Sequence, residues 1–238
     1  KNFGLIMGFL TLLHRNSIPL PKRFIRKISL NFLHMKMPKR LASKGYWSRY
    51  SDRSSYTENS YGPREQAVLE EIQSLDGNSI LDAAGSDGKY LWLARRPNCV
   101  HILTDLEDTG VSKFTKFVSD GPDGLPDNAD FIGLVKNFSD SDIQADIVLA
   151  LAITHHLSLS QWWSFERIAN HLGKISKKHL LVEFMPNGVG KYQSQYLETP
   201  SWYSLDNFVN ALGSEFGYVK VVTKTAGTGR VLIVCSKT

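Results

Sequence analysis

The stretch Ser79–Ala94, SILDAAGSDGKYLWLA, passes from an apolar run to a helix-like segment through a turn of small residues, with Asp82 at the corner and Gly85 and Gly88 in the bend. A chain that leaves a strand in this way and turns into a helix brings backbone N–H groups to the carboxyl edge of a sheet, where a ligand can be approached closely. Glycine at the bend removes the side chain that would keep that ligand away.

Outward from this corner the same alternation repeats. SILDA is followed by a helix starting near Asp87. CVHILTD precedes a helix around Val111 to Val118, FIGLV follows, and ADIVLALAI runs to Ile153 before a helix from about Gln161 to His171. HLLVEF then precedes a helix from about Ser204 to Leu212. Upstream, PREQAVLEEIQSL places proline in a first helical turn and Ala67, Leu69, Ile72 and Leu75 on one stripe. Strand alternating with helix predicts an α/β fold, a mostly parallel sheet covered on both faces. The tail breaks the pattern, because GYVKVVTK and RVLIVCSK are joined by TAGTG alone, a connector so short that it makes an antiparallel hairpin.

Charge divides the chain. Residues 1–49 hold 11 Lys or Arg and no Asp or Glu; since the whole chain has 28 basic and 23 acidic residues, the other 189 carry 17 and 23. Residues 1–45 are read as a basic helical arm in which Phe24, Ile28, Phe32 and Met35 share one face. Such an arm caps the body, meets an anionic membrane surface or glycan, or attracts polyphosphate, nucleic acid being the least favoured of these partners. Residues 46–62, rich in Tyr, Ser, Asp and Asn, read as a lid or linker, and residues 63–238 as the α/β body. The apolar run Phe3–Leu13 has 11 residues, short of the roughly 20 that span a bilayer. Cys99 and Cys235 lie far apart in apolar surroundings and read as buried thiols of a reducing compartment, which points to the cytoplasm, with a peripheral membrane contact through the arm left open. The chain begins at Lys1 without methionine, so it reads as trimmed or as a piece of a longer protein.

The order of elements and the corner at Asp82 together resemble the class I S-adenosylmethionine-dependent methyltransferases over roughly Tyr61 to Thr238. The resemblance implies a Rossmann-like, seven-stranded, mostly parallel sheet with a C-terminal antiparallel hairpin, and S-adenosyl-L-methionine as cofactor. It further implies that Asp82 complements the cofactor's amino group, that Ala84, Gly85 and Gly88 shape its seat, and that Tyr61 and Arg64 approach it from ahead of the first strand. Asp105, 23 residues after Asp82, ends the second strand and suits the ribose hydroxyls; Asn137, after the third, suits the adenine amino group. Where the family writes D-x-G-x-x-x-G, this chain has Ala84 at the first glycine, and alanine resists positive φ. The acid spacing also suits a nicotinamide dinucleotide, although DAAGSDG has too few glycines for its pyrophosphate.

ALAITHHL and LLVEF resemble a bacterial methyltransferase subgroup that writes ALA, two residues and HHL, then a strand ending in VEF; HRNSIPLPKR in the arm is similar too. His155 and His156 fall at the sheet edge, where a base of near-neutral pKa assists an alcohol acceptor, and Glu183 is placed to orient that histidine. The three also make a donor set for a divalent ion, and the small-RNA 2′-O-methyltransferases hold a metal in this region, but their acidic positions are Ala152 and His155 here and no metal is assigned. The long segment FMPNGVGKYQSQYLETPSWYS is read as an acceptor wall carrying Tyr192, Tyr196, Trp202 and Tyr203, while Trp162 and Trp163 are expected to face the core or the neighbouring loop.

The functional expectation is therefore a methyltransferase acting on oxygen of a small molecule, glycan, lipid-linked saccharide or secondary metabolite, with histidine-assisted in-line transfer. Two alternatives stay open: an RNA 2′-O-methyltransferase, and a non-catalytic scaffold that binds the cofactor.

Overall fold

The computed structural model describes residues 62–188, 199–225 and 229–237. The basic arm, the lid up to Tyr61, and Tyr192 and Tyr196 of the acceptor wall lie outside the described residues.

Seven strands form one sheet in the order β3-β2-β1-β4-β5-β7-β6. They are β1 Ser79–Ala83, β2 Val100–Asp105, β3 Asp130–Val135, β4 Ala145–Ala150, β5 Ser176–Phe184, β6 Tyr218–Thr225 and β7 Arg230–Ser236. Every pairing among β1 to β5 is parallel, and β7 runs antiparallel between β5 and β6, so the hairpin read from TAGTG is present. The helices are α1 Pro63–Ser74, α2 Lys89–Leu93, α3 Asp108–Ser119, α4 Thr154–Gln161, α5 Phe165–Ile175 and α6 Leu205–Gly213. Local chemistry sets their starts. Pro63 opens α1 while Glu65 accepts the Gly62 N–H at 3.1 Å, and Ser164 and Ser204 cap α5 and α6 by accepting the N–H groups of Arg167 and Asn207, each at 3.2 Å.

Side chains alternate across the strands into two cores. Leu81, Val148, Leu180 and Val182 face a cluster completed by Ile168 and Leu172 of α5 and Phe208 and Leu212 of α6. Ile80, Leu103, Ile147 and Leu181 face the opposite cluster, completed by Val68 and Ile72 of α1 and Phe114 of α3. Strand order reverses between β1 and β4, and the loops after their carboxyl ends open the crevice in which sheets of this kind hold ligands.

Two expectations are corrected. The fourth strand stops at Ala150 rather than Ile153, because Ala152 takes a left-handed φ of 56° and turns the chain into α4. The two histidines consequently lie in the first turn of a helix. An unbroken apolar run carries no period that marks such a stop. Trp163 is buried in the first core, as expected, but Trp162 is 74% exposed at the end of α4.

Candidate cofactor and active site

At the corner after β1 the backbone is unusually folded on itself. Ala84, Ser86 and Gly88 all have positive φ, of 60°, 56° and 71°. Alanine thus accepts the left-handed conformation it was expected to resist, at a cost of about 1–2 kcal/mol. Glycine is needed next door for space instead: a Cβ on Gly85 would stand 2.3 Å from Cγ of Asp82. Gly88 is required on both counts, since a Cβ there would meet the Phe114 ring at 2.6 Å. Retained strain of this kind concentrates at ligand sites.

Asp105 holds the turn in place. Its Oδ2 accepts the Ser86 N–H and its Oδ1 the Glu107 N–H, both at 2.8 Å, and the Gly85 N–H donates to Thr104 O at 3.1 Å. Helix α3 closes in from the far side, where a Cβ on Gly110 would stand 2.4 Å from Ser86 O. Leu106, next to Asp105, is 67% exposed and Val135, paired with Asp105 across β2 and β3, is 44% exposed, which leaves an apolar rim on this edge. Neither is marked in the sequence, because Val135 continues an apolar strand and Leu106 is a single apolar residue among acids.

Asp82 is 1% exposed, and its Oδ2 has no hydrogen-bond partner among the described residues. Burial, with the carboxylates of Asp105 and Asp87 adding repulsion, pushes its pKa up to about 8, against an opposing pull from Arg64. Burial also raises Asp105, with the backbone N–H groups of Glu107, Ser86 and Leu106 opposing it. A buried carboxyl with an unused acceptor suits a cationic donor such as a primary ammonium, so these residues fit the methionine end of S-adenosylmethionine. Asn137 plays a local part: it is exposed and caps the turn Phe138–Asp140 by accepting the Ser139 N–H at 3.3 Å.

Across the crevice the main feature is an ion triad. Glu183, 1% exposed, receives Arg64 Nε on Oε1 at 2.6 Å and Arg64 Nη2 on Oε2 at 2.7 Å, and Arg230 Nη1 joins on Oε2 at 2.9 Å. Arg64 also lies over the Tyr90 ring, 5.2 Å from its centroid. Burial opposes the Arg64 charge, but the hydrogen bond and attraction of Glu183 outweigh it and raise its pKa. Glu183 was expected to orient a histidine; its carboxylate instead neutralises two arginines, and its backbone carbonyl accepts Thr154 Oγ1 at 2.7 Å. Arg64, expected at the cofactor, is committed to that carboxylate. Arg230 was not anticipated, because only the antiparallel register, Phe184 beside Val231, carries the start of β7 to this edge.

His155 is 4% exposed, with its ring 4.0 Å from that of His156. Burial, then His156 and Arg230, bring His155 down to about 3; burial and Arg230 also lower His156. Both rings are neutral at pH 7, and His155 is a weaker base than the near-neutral one expected. His155 Nδ1 has no hydrogen-bond partner among the described residues. No group of three metal-ligating side chains is found among the described residues, and the arginines on Glu183 occupy the carboxylate such a group would need.

The strand order, the antiparallel β7 and the acid-lined corner after β1 define the fold of the class I S-adenosylmethionine-dependent methyltransferases. Among solved structures the chain is similar to the magnesium protoporphyrin IX methyltransferase of Synechocystis PCC 6803 with bound SAH, at 13% identity and a TM-score of 0.57, covering 82% of this chain and 96% of that one. It is also similar to the 16S rRNA methylase ArmA (13%, 0.51, 82% and 100%) and to a geranyl diphosphate methyltransferase in complex with GPP and sinefungin (10%, 0.50, 74% and 78%). No family model and no curated protein matches the chain. Among the described residues no helix is long and apolar enough to cross a membrane.

Proposed function

We propose that this chain is an S-adenosylmethionine-dependent methyltransferase that methylates an oxygen of a glycan, lipid-linked saccharide or other hydroxylated small molecule. The observation that carries the reading is the buried, unpartnered carboxyl oxygen of Asp82 above a turn clamped by Asp105. The cofactor supplies an electrophilic methyl group on a sulfonium. Asp82 is suited to its ammonium, and Asp105, with both oxygens already fixed by backbone N–H groups, presents its remaining lone pairs to the ribose hydroxyls. The apolar rim of Leu106 and Val135 gives a surface for the adenine ring.

On the acceptor side the chain contributes position more than base strength. Holding an acceptor oxygen in line with the methyl group supplies the larger share of such a rate enhancement. A neutral histidine nitrogen of the His155 and His156 pair accepts the hydroxyl proton as the oxygen–carbon bond forms. The Arg64–Glu183–Arg230 triad fixes α1, β5 and β7 around that pair. Because depressed histidine basicity also suits a protein that binds cofactor without turnover, the test needs two stages. Calorimetric titration with S-adenosylmethionine, SAH and NAD comes first. Micromolar binding of the first two, lost in Asp105→Ala, supports the cofactor; no binding of either removes the enzyme reading. Formation of SAH with a panel of hydroxylated acceptors then separates the enzyme from the scaffold.

A further inference from the structure

A groove of about 710 Å³ runs between the start of α5 and α6, away from the residues assigned to the cofactor. Its floor is Trp163, Phe165 and Ala211, all buried. Two tryptophans stand over it. Trp162 ends α4 with φ 59° and ψ 31°, the left-handed position that helices normally give to glycine or asparagine. A bulky residue is held there against backbone preference, and its indole is 74% exposed. Trp202 is 38% exposed and is fixed edge-on against Phe165 at 5.7 Å and Tyr203 at 5.9 Å, so its orientation is set before any ligand arrives.

The polar side chains around these rings have a restricted chemistry. Ser164, Glu166, Asn207, Asn210 and Ser214 supply a carboxylate, two amides and two hydroxyls; among the described residues lining the groove none is Lys or Arg, although the Arg167 guanidinium lies 3.8 Å from the centre of the Trp163 ring. Asn207 Nδ2 donates to Trp202 O at 2.9 Å, which ties the amide to the segment carrying the indole. The Arg167 guanidinium on Trp163 offsets the Glu166 carboxylate, so the described wall offers amides and hydroxyls rather than an excess of either charge, which favours a neutral ligand over a phosphorylated one. Flat indole faces suit the C–H faces of sugar rings, and amide and carboxylate groups suit vicinal hydroxyls. The groove also abuts the active edge, since Phe165 packs on Phe184, the last residue of β5, beside Glu183.

From this combination we infer that the groove between α5 and α6 is a binding site for a neutral saccharide chain, gripped between Trp162 and Trp202. Sugar binding stands on the groove alone; its use, to hold the remote part of a glycan acceptor while one hydroxyl reaches the histidine pair, rests on the proposed methyl transfer.

The test is an array of neutral and acidic oligosaccharides probed with the full chain, followed by calorimetry on the best neutral sugar, with Trp162→Ala and Trp202→Phe alongside. Trp162 is mostly solvent-exposed, so its variant is expected to keep its melting temperature and its S-adenosylmethionine affinity while losing at least tenfold in sugar affinity. Trp202→Phe keeps an aromatic ring against Phe165 and is expected to lose sugar affinity by a smaller factor. Two outcomes overturn the assignment: no neutral saccharide bound by the unaltered chain, or binding that both variants retain in full. Preference for an oligoadenylate or a proline-rich peptide, competed by the same variants, also overturns it. Sugar binding without cofactor binding leaves the groove assigned and removes the methyl-transfer reading; the reverse removes the groove.

Discussion

Gly85 and Asp82 exclude any larger residue at position 85, because a Cβ there would stand 2.3 Å from the buried carboxyl carbon. Ala84, one residue earlier, carries the left-handed φ. The two positions should respond in opposite ways. Gly85→Ala is expected to displace the Asp82 carboxyl and to cost at least tenfold in cofactor affinity. Ala84→Gly removes about 1–2 kcal/mol of strain against about 0.4–1 kcal/mol of added freedom in the unfolded chain. The net, between about zero and about 1.6 kcal/mol, shifts the melting temperature upward by no more than about 3–6 °C. Thermal melts with parallel cofactor titrations check both; a Gly85→Ala protein with unchanged affinity would falsify the packing account of the corner.

Glu183→Gln removes the buried carboxylate that two half-buried arginines share. Breaking a buried ion group by removing one partner costs about 3–5 kcal/mol. Urea denaturation of the variant should show a loss of that order, whereas a loss below about 1 kcal/mol means that the triad is not what fixes α1 and β7 to β5.

Stability should depend on pH in both directions. Asp82 is raised to about 8, so between its unfolded value near 4 and that point the folded state holds the extra proton. Its contribution therefore falls as pH rises through this window, by up to about 1.4 kcal/mol per pH unit. His155 and His101 are lowered, mainly by burial, to about 3 and about 4, so from about 6.5 downward the unfolded chain takes up the protons and stability falls as pH falls. A maximum near pH 6–7 follows. Denaturation midpoints across pH should show it, with Asp82→Asn flattening the alkaline limb while weakening cofactor binding. A monotonic profile contradicts this assignment of the buried groups.

Once an acceptor is in hand, the histidines can be separated by rate. Proton acceptance by a positioned side chain contributes about 10²–10⁴-fold, so His155→Ala or His156→Ala should lower SAH formation by a factor in that range. Because burial lowers both pKa values, the acid limb of kcat/KM should lie at lower pH than an unperturbed histidine would place it. Full turnover in both variants removes the pair from the mechanism.

The strand ends that carry the two candidate acids are legible in the sequence. Asp82 lies one residue before the end of β1 and Asp105 ends β2, each after an apolar run that is short and bounded, and short bounded runs are what local sequence reports well. The end of β4 was misread because ADIVLALAI is apolar throughout, and its stop depends on Ala152 adopting a left-handed backbone that alanine does not advertise. Trp162 was misplaced for a related reason: its exposure depends on how α4 ends against α5, which a pair of adjacent tryptophans does not disclose.

The sequence by itself determined the alternation of strand and helix, the closing hairpin and the acids at the first two strand ends, because periodicity and turn chemistry act over a few residues. Only the tertiary structure decided the partners of Glu183, which lie 119 and 47 residues away along the chain. It also decided the depressed basicity of the histidines and the tryptophan groove. Each of these is set by burial, charge proximity and strand register, and those quantities exist only once distant segments have packed together.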